Sequence, residues 1–115
     1  MTTAEVAVLA PLPGPYTYLI PPPLRPAVCV GARVWVPLQS QRVEGVVLAV
    51  AADAPQRRGH KLREVLQTIQ SPPLPADLLE LARFIADYYQ VPTGEALRLV
   101  LPPGSEARER TAVAL

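Results

Sequence analysis

Cysteine and histidine are scarce in this chain of 115 residues, which contains one of each, Cys29 and His60. One cysteine excludes an internal disulfide, and the two residues together supply too few ligands for a structural zinc site. We expect the Cys29 thiol to be buried and inert, because a cysteine nucleophile also needs a neighbouring histidine and an orienting third group. The sequence therefore predicts no metal and no cofactor in this chain.

Charge is also scarce. Charged residues make up 18% of the chain, and 11 Lys and Arg against 10 Asp and Glu give a net charge of +1. A protein that coats a long duplex usually has a strongly basic face. This charge balance does not indicate a nucleic-acid binder; if the domain does bind DNA, it is expected to contact only a few nucleotides, as at a strand terminus. Because the N-terminus lacks a basic leader and no apolar run is long enough to cross a bilayer, we expect a cytoplasmic protein without a membrane partner.

The marks of common enzyme sites are missing. No glycine-rich loop ends in Lys-Ser or Lys-Thr, so the sequence does not predict nucleotide hydrolysis. We interpret the acidic pairs Glu44 with Asp53 and Glu80 with Asp87 as solvated faces rather than acid–base dyads. The prediction is a module that is not an enzyme. A small hydrolase that uses Cys29 is a rival interpretation, which alkylation of the thiol without functional effect would remove.

The chain contains several short runs of β-branched residues, and some of its 15 prolines lie at the ends of these runs. Such runs predict strands, and the proline-rich segments between them predict stiff loops. The predicted strands lie at 5–9, 16–20, 31–37, 42–50 and 61–69, although the last segment also fits a helix. After Pro75 the period becomes helical, and a second short helix is predicted over 95–101. The predicted apolar face of the first helix consists of Leu78, Leu81, Ala82, Ile85 and Tyr89.

This order of elements predicts an α+β domain. About five strands are expected to form a small barrel-like or strongly twisted antiparallel sheet, followed by two C-terminal helices. We assign residues 1–104 to this domain. Residues 105–115, where charge increases, are assigned to a linker or to the start of a further domain.

Six segments, spread over roughly residues 6–104, resemble one known family in content and order. They are Val6-Ala7-Val8 with Pro11-Leu12-Pro13, Tyr16-Thr17-Tyr18-Leu19-Ile20, Gly31-Ala32-Arg33-Val34-Trp35-Val36-Pro37, Arg42-Val43-Glu44-Gly45-Val46-Val47, Leu62-Arg63-Glu64-Val65-Leu66, and Leu81 to Tyr89 followed by Pro92, Gly94, Glu95 and Leu97. They are similar to the N-terminal part of primosomal protein N′ (PriA), a bacterial replication-restart helicase.

The resemblance implies a function for the chain. In that family this part is a 3′-DNA-end binding domain, while ATP and zinc are expected only in downstream domains. The implied role is to hold the 3′ end of the nascent leading strand at stalled or abandoned replication forks, without base specificity. The implied partners are forked DNA with a 3′-hydroxyl end, helicase domains of the same chain, single-stranded DNA-binding protein and other primosome proteins. We expect a monomer.

The resemblance also implies a site. The family's pocket uses an aromatic–Asp pair in the second strand, a glycine in the turn after Val-Pro and a basic residue in the Leu-Lys segment. The matching positions are Tyr16, Thr17, Gln39 and Arg63, with Lys61 close by. Because Thr17 and Gln39 depart from the pattern, tighter binding to a 3′-hydroxyl than to a 3′-phosphate is expected, but with weaker discrimination.

Plainer alternatives apply to several of these residues. A Tyr-x-Tyr strand places both rings on one face, where core packing is the usual purpose. We predict that Arg42, Arg57 and Arg58 contact the DNA backbone, although adjacent arginines in a loop are more often simply solvated. Trp35, Tyr88 and Tyr89 are interpreted as core or interface residues. Near-neutral charge also keeps open a protein-interaction module that docks on a helicase core or on single-stranded DNA-binding protein.

Overall fold

A computed structural model of the chain describes residues 2–10, 14–52 and 62–101. The elements are β1 (Thr3–Val8), β2 (Tyr16–Leu19), a 3₁₀ helix (Pro22–Ala27), β3 (Arg33–Leu38), β4 (Gln41–Ala51), β5 (Gln67–Thr68), α1 (Ala76–Tyr89) and α2 (Thr93–Val100). The strands form one antiparallel sheet in the order β2-β1-β4-β3-β5. β2 and β5 are therefore the edges of the sheet.

The two edges approach each other through the segment before β5. The Leu19 N–H donates to the carbonyl oxygen of Arg63 at 2.9 Å, and the Val65 N–H donates to the carbonyl oxygen of Leu19 at 2.9 Å. Within the described residues this is a single bridge, between Leu19 and Glu64, and not a ladder. The sheet is thus not closed into a barrel, but residues 62–65 are held against β2.

Two hydrophobic cores lie on opposite faces of the sheet, because successive side chains of a strand point to opposite sides. The main core includes Val6, Val8, Tyr18, Val34, Val36, Val47 and Val65. The second core lies between the sheet and the helices and includes Ala7, Val46, Leu79, Ala82, Ala86 and Leu97. The helices therefore cover one face of β1 and β4, and the main core lies on the other.

The structure confirms the predicted α+β class, with five strands before two helices. The strand predicted over 61–69 is much shorter, since among the described residues 62–69 only Gln67–Thr68 lies in a strand. The reason is that this segment changes partners: Val65 bonds to β2, whereas the Leu66 N–H donates to the carbonyl oxygen of Trp35 in β3. The predicted linker at 105–115 lies outside the described residues.

The predicted apolar face of α1 is partly wrong. Leu81 and Tyr89 are 46% and 66% exposed, and the fully buried positions are Leu79, Ala82 and Ala86. Small alanine side chains allow the helix to lie close to the sheet, and this leaves larger neighbours outside the contact. Helical period alone located the helix and correctly placed Ala82 and Ile85 at the core, but it wrongly included Leu81 and Tyr89 in the buried face.

Two further expectations are corrected. Glu44 is buried and forms a salt bridge with Arg33, across the β3–β4 pair, instead of lying on a solvated face. Asp53, its suggested partner, lies outside the described residues. Cys29 is exposed rather than buried, because it lies in the loop between the 3₁₀ helix and β3.

Candidate nucleic-acid interface

A cavity of about 270 Å³ opens where three separate segments of the chain meet. Its described lining is Tyr16, Thr17 and Tyr18 from β2, Pro37, Leu38 and Gln39 from the end of β3 and its turn, and Leu62 and Arg63 from the segment before β5. Small-molecule sites occupy about 300–1,000 Å³. At about 270 Å³ the cavity lies just below this range, so its volume suits at most one nucleotide-sized group and is far too small for a duplex.

The β3–β4 turn forms one wall of the cavity. Leu38 and Gln41 pair at the end of the hairpin, so Gln39 and Ser40 form a two-residue turn. Gln39 has φ of 57°, in the left-handed region that glycine favours at the first position of such turns. The main-chain carbonyl of Gln39, rather than its side-chain amide, makes the contact with Arg63.

Arg63 is the cation among the described lining residues, and it is held at two points. Its carbonyl oxygen accepts from the Leu19 N–H, and its guanidinium donates to the carbonyl oxygen of Gln39 at 2.8 Å. A guanidinium has five N–H donors, so the side chain can still donate to an anion. Because none of the described lining residues is acidic, the Arg63 charge is not neutralised inside the cavity.

The two tyrosines of β2 differ in their surroundings. Tyr18 is 4% exposed, and its hydroxyl donates to the carbonyl oxygen of Pro37 at 2.8 Å. Burial, and secondarily the Tyr16 phenol, raise the pKa of Tyr18 above 10.0, and Arg63 opposes the rise. The Tyr18 hydroxyl is thus protonated, and its hydrogen bond is made to Pro37 of β3. Tyr16 is only half-buried, which leaves part of its ring available at the cavity wall.

The structure therefore brings together four of the five predicted end-binding residues, namely Tyr16, Thr17, Gln39 and Arg63. Lys61, Arg57 and Arg58 lie outside the described residues. Sequence reasoning had not included Tyr18, Pro37, Leu38 and Leu62 in the lining. The Tyr-x-Tyr spacing was the available signal for Tyr18, since both rings of such a strand share a face.

Arg42 does not line the cavity. Its guanidinium lies 4.8 Å from the centre of the Trp35 ring and donates to the Gln67 side-chain oxygen at 3.3 Å. Trp35 is half-buried and provides a platform for Arg42. A contact between Arg42 and the DNA backbone outside the cavity stays a prediction.

Most of the chain also matches a known family of domains. Residues 5–102 match the model of the PriA family's 3′DNA-binding domain (3′BD). The chain belongs to this family. A PriA 3′BD is a DNA-binding module with a role in replication restart, and it is not a catalytic domain. The resemblance seen in the sequence is thereby confirmed.

In the described parts of the chain, no three His, Cys, Asp or Glu side chains are grouped as a metal ion would require. None of the helices described there is long and apolar enough to span a membrane.

Proposed function

We propose that this PriA 3′BD binds the 3′-terminal nucleotide of a DNA strand in the cavity, without base specificity. The observation that supports the proposal is the convergence of Tyr16, Thr17, Gln39 and Arg63, from three chain segments, around about 270 Å³. We expect the natural ligand to be the 3′ end of a nascent leading strand at a stalled fork.

Stacking explains why any terminal base is accepted. The exposed part of the Tyr16 ring offers a surface for a base, and stacking of this kind contributes about 1–3 kcal/mol and tolerates every base. The cavity also fits a local contact better than an extended one. A chain with a net charge of +1 has too few cations to neutralise a long run of phosphates.

Arg63 is assigned to the last phosphodiester. Its guanidinium is fixed by the Gln39 carbonyl oxygen, so fewer side-chain conformations are lost when a phosphate binds. One dominant phosphate contact predicts a shallow salt dependence, with a slope of about −0.7 in log K against log salt for a single strand. A slope of several units would indicate a wide basic interface instead.

The test is fluorescence anisotropy of the 115-residue chain with DNA junctions that differ only in which strand end is accessible. We expect tight binding when a 3′ end lies at the branch point and weak binding when only a 5′ end does. The matched variant is Arg63→Gln, which keeps a hydrogen-bonding side chain and removes the charge. Equal affinity for the two junctions would contradict the proposal.

The terminal group can be examined in the same assay. The described lining contains no carboxylate, so a 3′-phosphate is rejected only weakly. Replacing Thr17 with aspartate places a negative charge at the cavity, which would repel a 3′-phosphate while still accepting a hydrogen bond from a 3′-hydroxyl. We expect Thr17→Asp to widen the difference in affinity between the two ends. An unchanged ratio would place the terminal group away from Thr17.

A further inference from the structure

The outer side of α1 carries aromatic rings that neither core uses. Phe84 is 65% exposed and Tyr88 is 71% exposed, although large apolar side chains are ordinarily buried. The two rings stack with centroids 6.1 Å apart, and Tyr88 meets Tyr89 edge to face at 4.9 Å. These rings contact one another across the helix surface, and they present a continuous apolar stripe to solvent with Leu81, which is 46% exposed.

Carboxylates flank this stripe. Asp77, Glu80 and Asp87 are exposed, and their spacing of seven, four and three residues from Phe84 places them on its side of the helix. Arg83 is the one basic residue within α1, against these three acids. We call the surface formed by Asp77, Glu80, Leu81, Phe84, Asp87 and Tyr88 the α1 face.

The charge of the α1 face determines what it can bind. Surfaces that hold single-stranded DNA combine aromatic rings with cations, whereas phosphates would be repelled by three carboxylates. Aromatic ring faces attract arginine and lysine, and carboxylates pair with the same groups. We propose that the α1 face is a docking site for a protein surface that presents arginine or lysine side chains beside an apolar anchor.

The α1 face is separate from the DNA cavity. α1 packs through Ala82 and Ala86 on the side of the sheet that carries Ala7 and Val46. The cavity lies on the other side, where Tyr18 belongs to the main core. The α1 face and the cavity therefore use different sides of the sheet, and this proposal does not rest on 3′-end recognition.

The test uses a synthetic amphipathic peptide with leucine on one helical face and arginine on the other, titrated into the ¹⁵N-labelled 115-residue chain. A second peptide carries citrulline at every arginine position, which keeps the shape and removes the charge. We expect saturable chemical-shift changes along α1 with the arginine peptide, and markedly weaker binding of the citrulline peptide. Tyr88→Ala should weaken binding of the arginine peptide about fivefold, because one exposed cation–π contact and its apolar area are lost.

Leu99→Ala is the control for this test, and Asp87→Asn is a further test of the charge. Leu99 is 71% exposed on α2 and does not belong to the α1 face, so Leu99→Ala should bind the arginine peptide as the parent chain does. Asp87→Asn tests the charge alone and should weaken binding while leaving the rings in place. Tyr88→Ala should leave DNA-junction binding unchanged.

Four results would overturn the proposal. The first is an absence of saturable changes on α1, and the second is equal binding of the two peptides. The third is a loss of DNA binding in Tyr88→Ala, which would make the α1 face part of the DNA interface. The fourth is α1 shifts that depend on protein concentration without peptide, because a second copy of the chain would then occupy the face.

Discussion

Replacing Tyr16 with alanine is expected to weaken DNA binding by a similar factor for every terminal base. The half-buried ring lies at the cavity wall, where it can stack on a base. Loss of one stacking contact costs about 1–3 kcal/mol. Since about 1.4 kcal/mol corresponds to a tenfold change, the Kd should rise about five- to 150-fold.

Part of the Tyr16 ring packs against the main core, so truncation also affects folding. Two matched variants separate binding from stability. Tyr16→Leu keeps apolar volume at the position but removes the aromatic face, and it should bind DNA nearly as weakly as Tyr16→Ala. Tyr18→Phe keeps the ring in the lining and removes only the hydroxyl that donates to Pro37, so it should lower stability by about 1 kcal/mol and weaken DNA binding far less than Tyr16→Ala does.

The assay is fluorescence anisotropy with four DNA strands that differ only in the 3′-terminal base, and thermal unfolding verifies that each variant is folded. A loss restricted to one base would refute stacking and indicate a base-specific hydrogen bond. Unchanged affinity in folded Tyr16→Ala would place the bound end away from the cavity.

Three further predictions concern stability. Burial raises the pKa of Tyr18, so the folded state keeps a proton that the unfolded state loses above pH 10.0. The free energy of unfolding should therefore fall as the pH rises past that value. Urea unfolding should show this fall in the parent chain and not in Tyr18→Phe. Glu44→Ala leaves the Arg33 charge buried and should lower the free energy of unfolding by about 3–5 kcal/mol. The double variant Arg33→Met with Glu44→Leu should recover most of this loss. If Glu44→Ala were as stable as the parent chain, a buried ion pair would be contradicted. Gly94→Ala places a Cβ against the carbonyl group of Val8 and should cost about 3 kcal/mol, measured by thermal unfolding, and an unchanged Tm would show that α2 does not pack on β1 at that point.

Much of the secondary structure followed from local pattern. β-branched runs bounded by proline predicted β1 to β4, and the change to helical period after Pro75 predicted α1. These signals are local, because side-chain shape and backbone restriction act within a few residues. The fold class followed from the order of the elements.

Pairing over long distances could not be read in the same way. The sheet order, the bridge between Leu19 and Glu64, and the burial of Glu44 with Arg33 all depend on which strands become neighbours. The sequence does not distinguish a charged side chain that is solvated from one that is buried in an ion pair. The misplaced face of α1 has the same origin, because the sheet contact is made through alanines and not through the largest side chains.

The sequence by itself determined the class of domain, its family resemblance and the residue types of the site, because these follow from composition, period and motif order. The family resemblance already assigned Tyr16, Gln39 and Arg63 to one site, but only the tertiary structure shows how they meet, since they lie on three segments that the sheet and its edge bridge bring together. It also decided that Arg42 rests on Trp35 outside that cavity, and that the rings of Phe84 and Tyr88 face solvent. Contacts between residues that are far apart in the sequence depend on tertiary packing, and local sequence patterns carry no information about them.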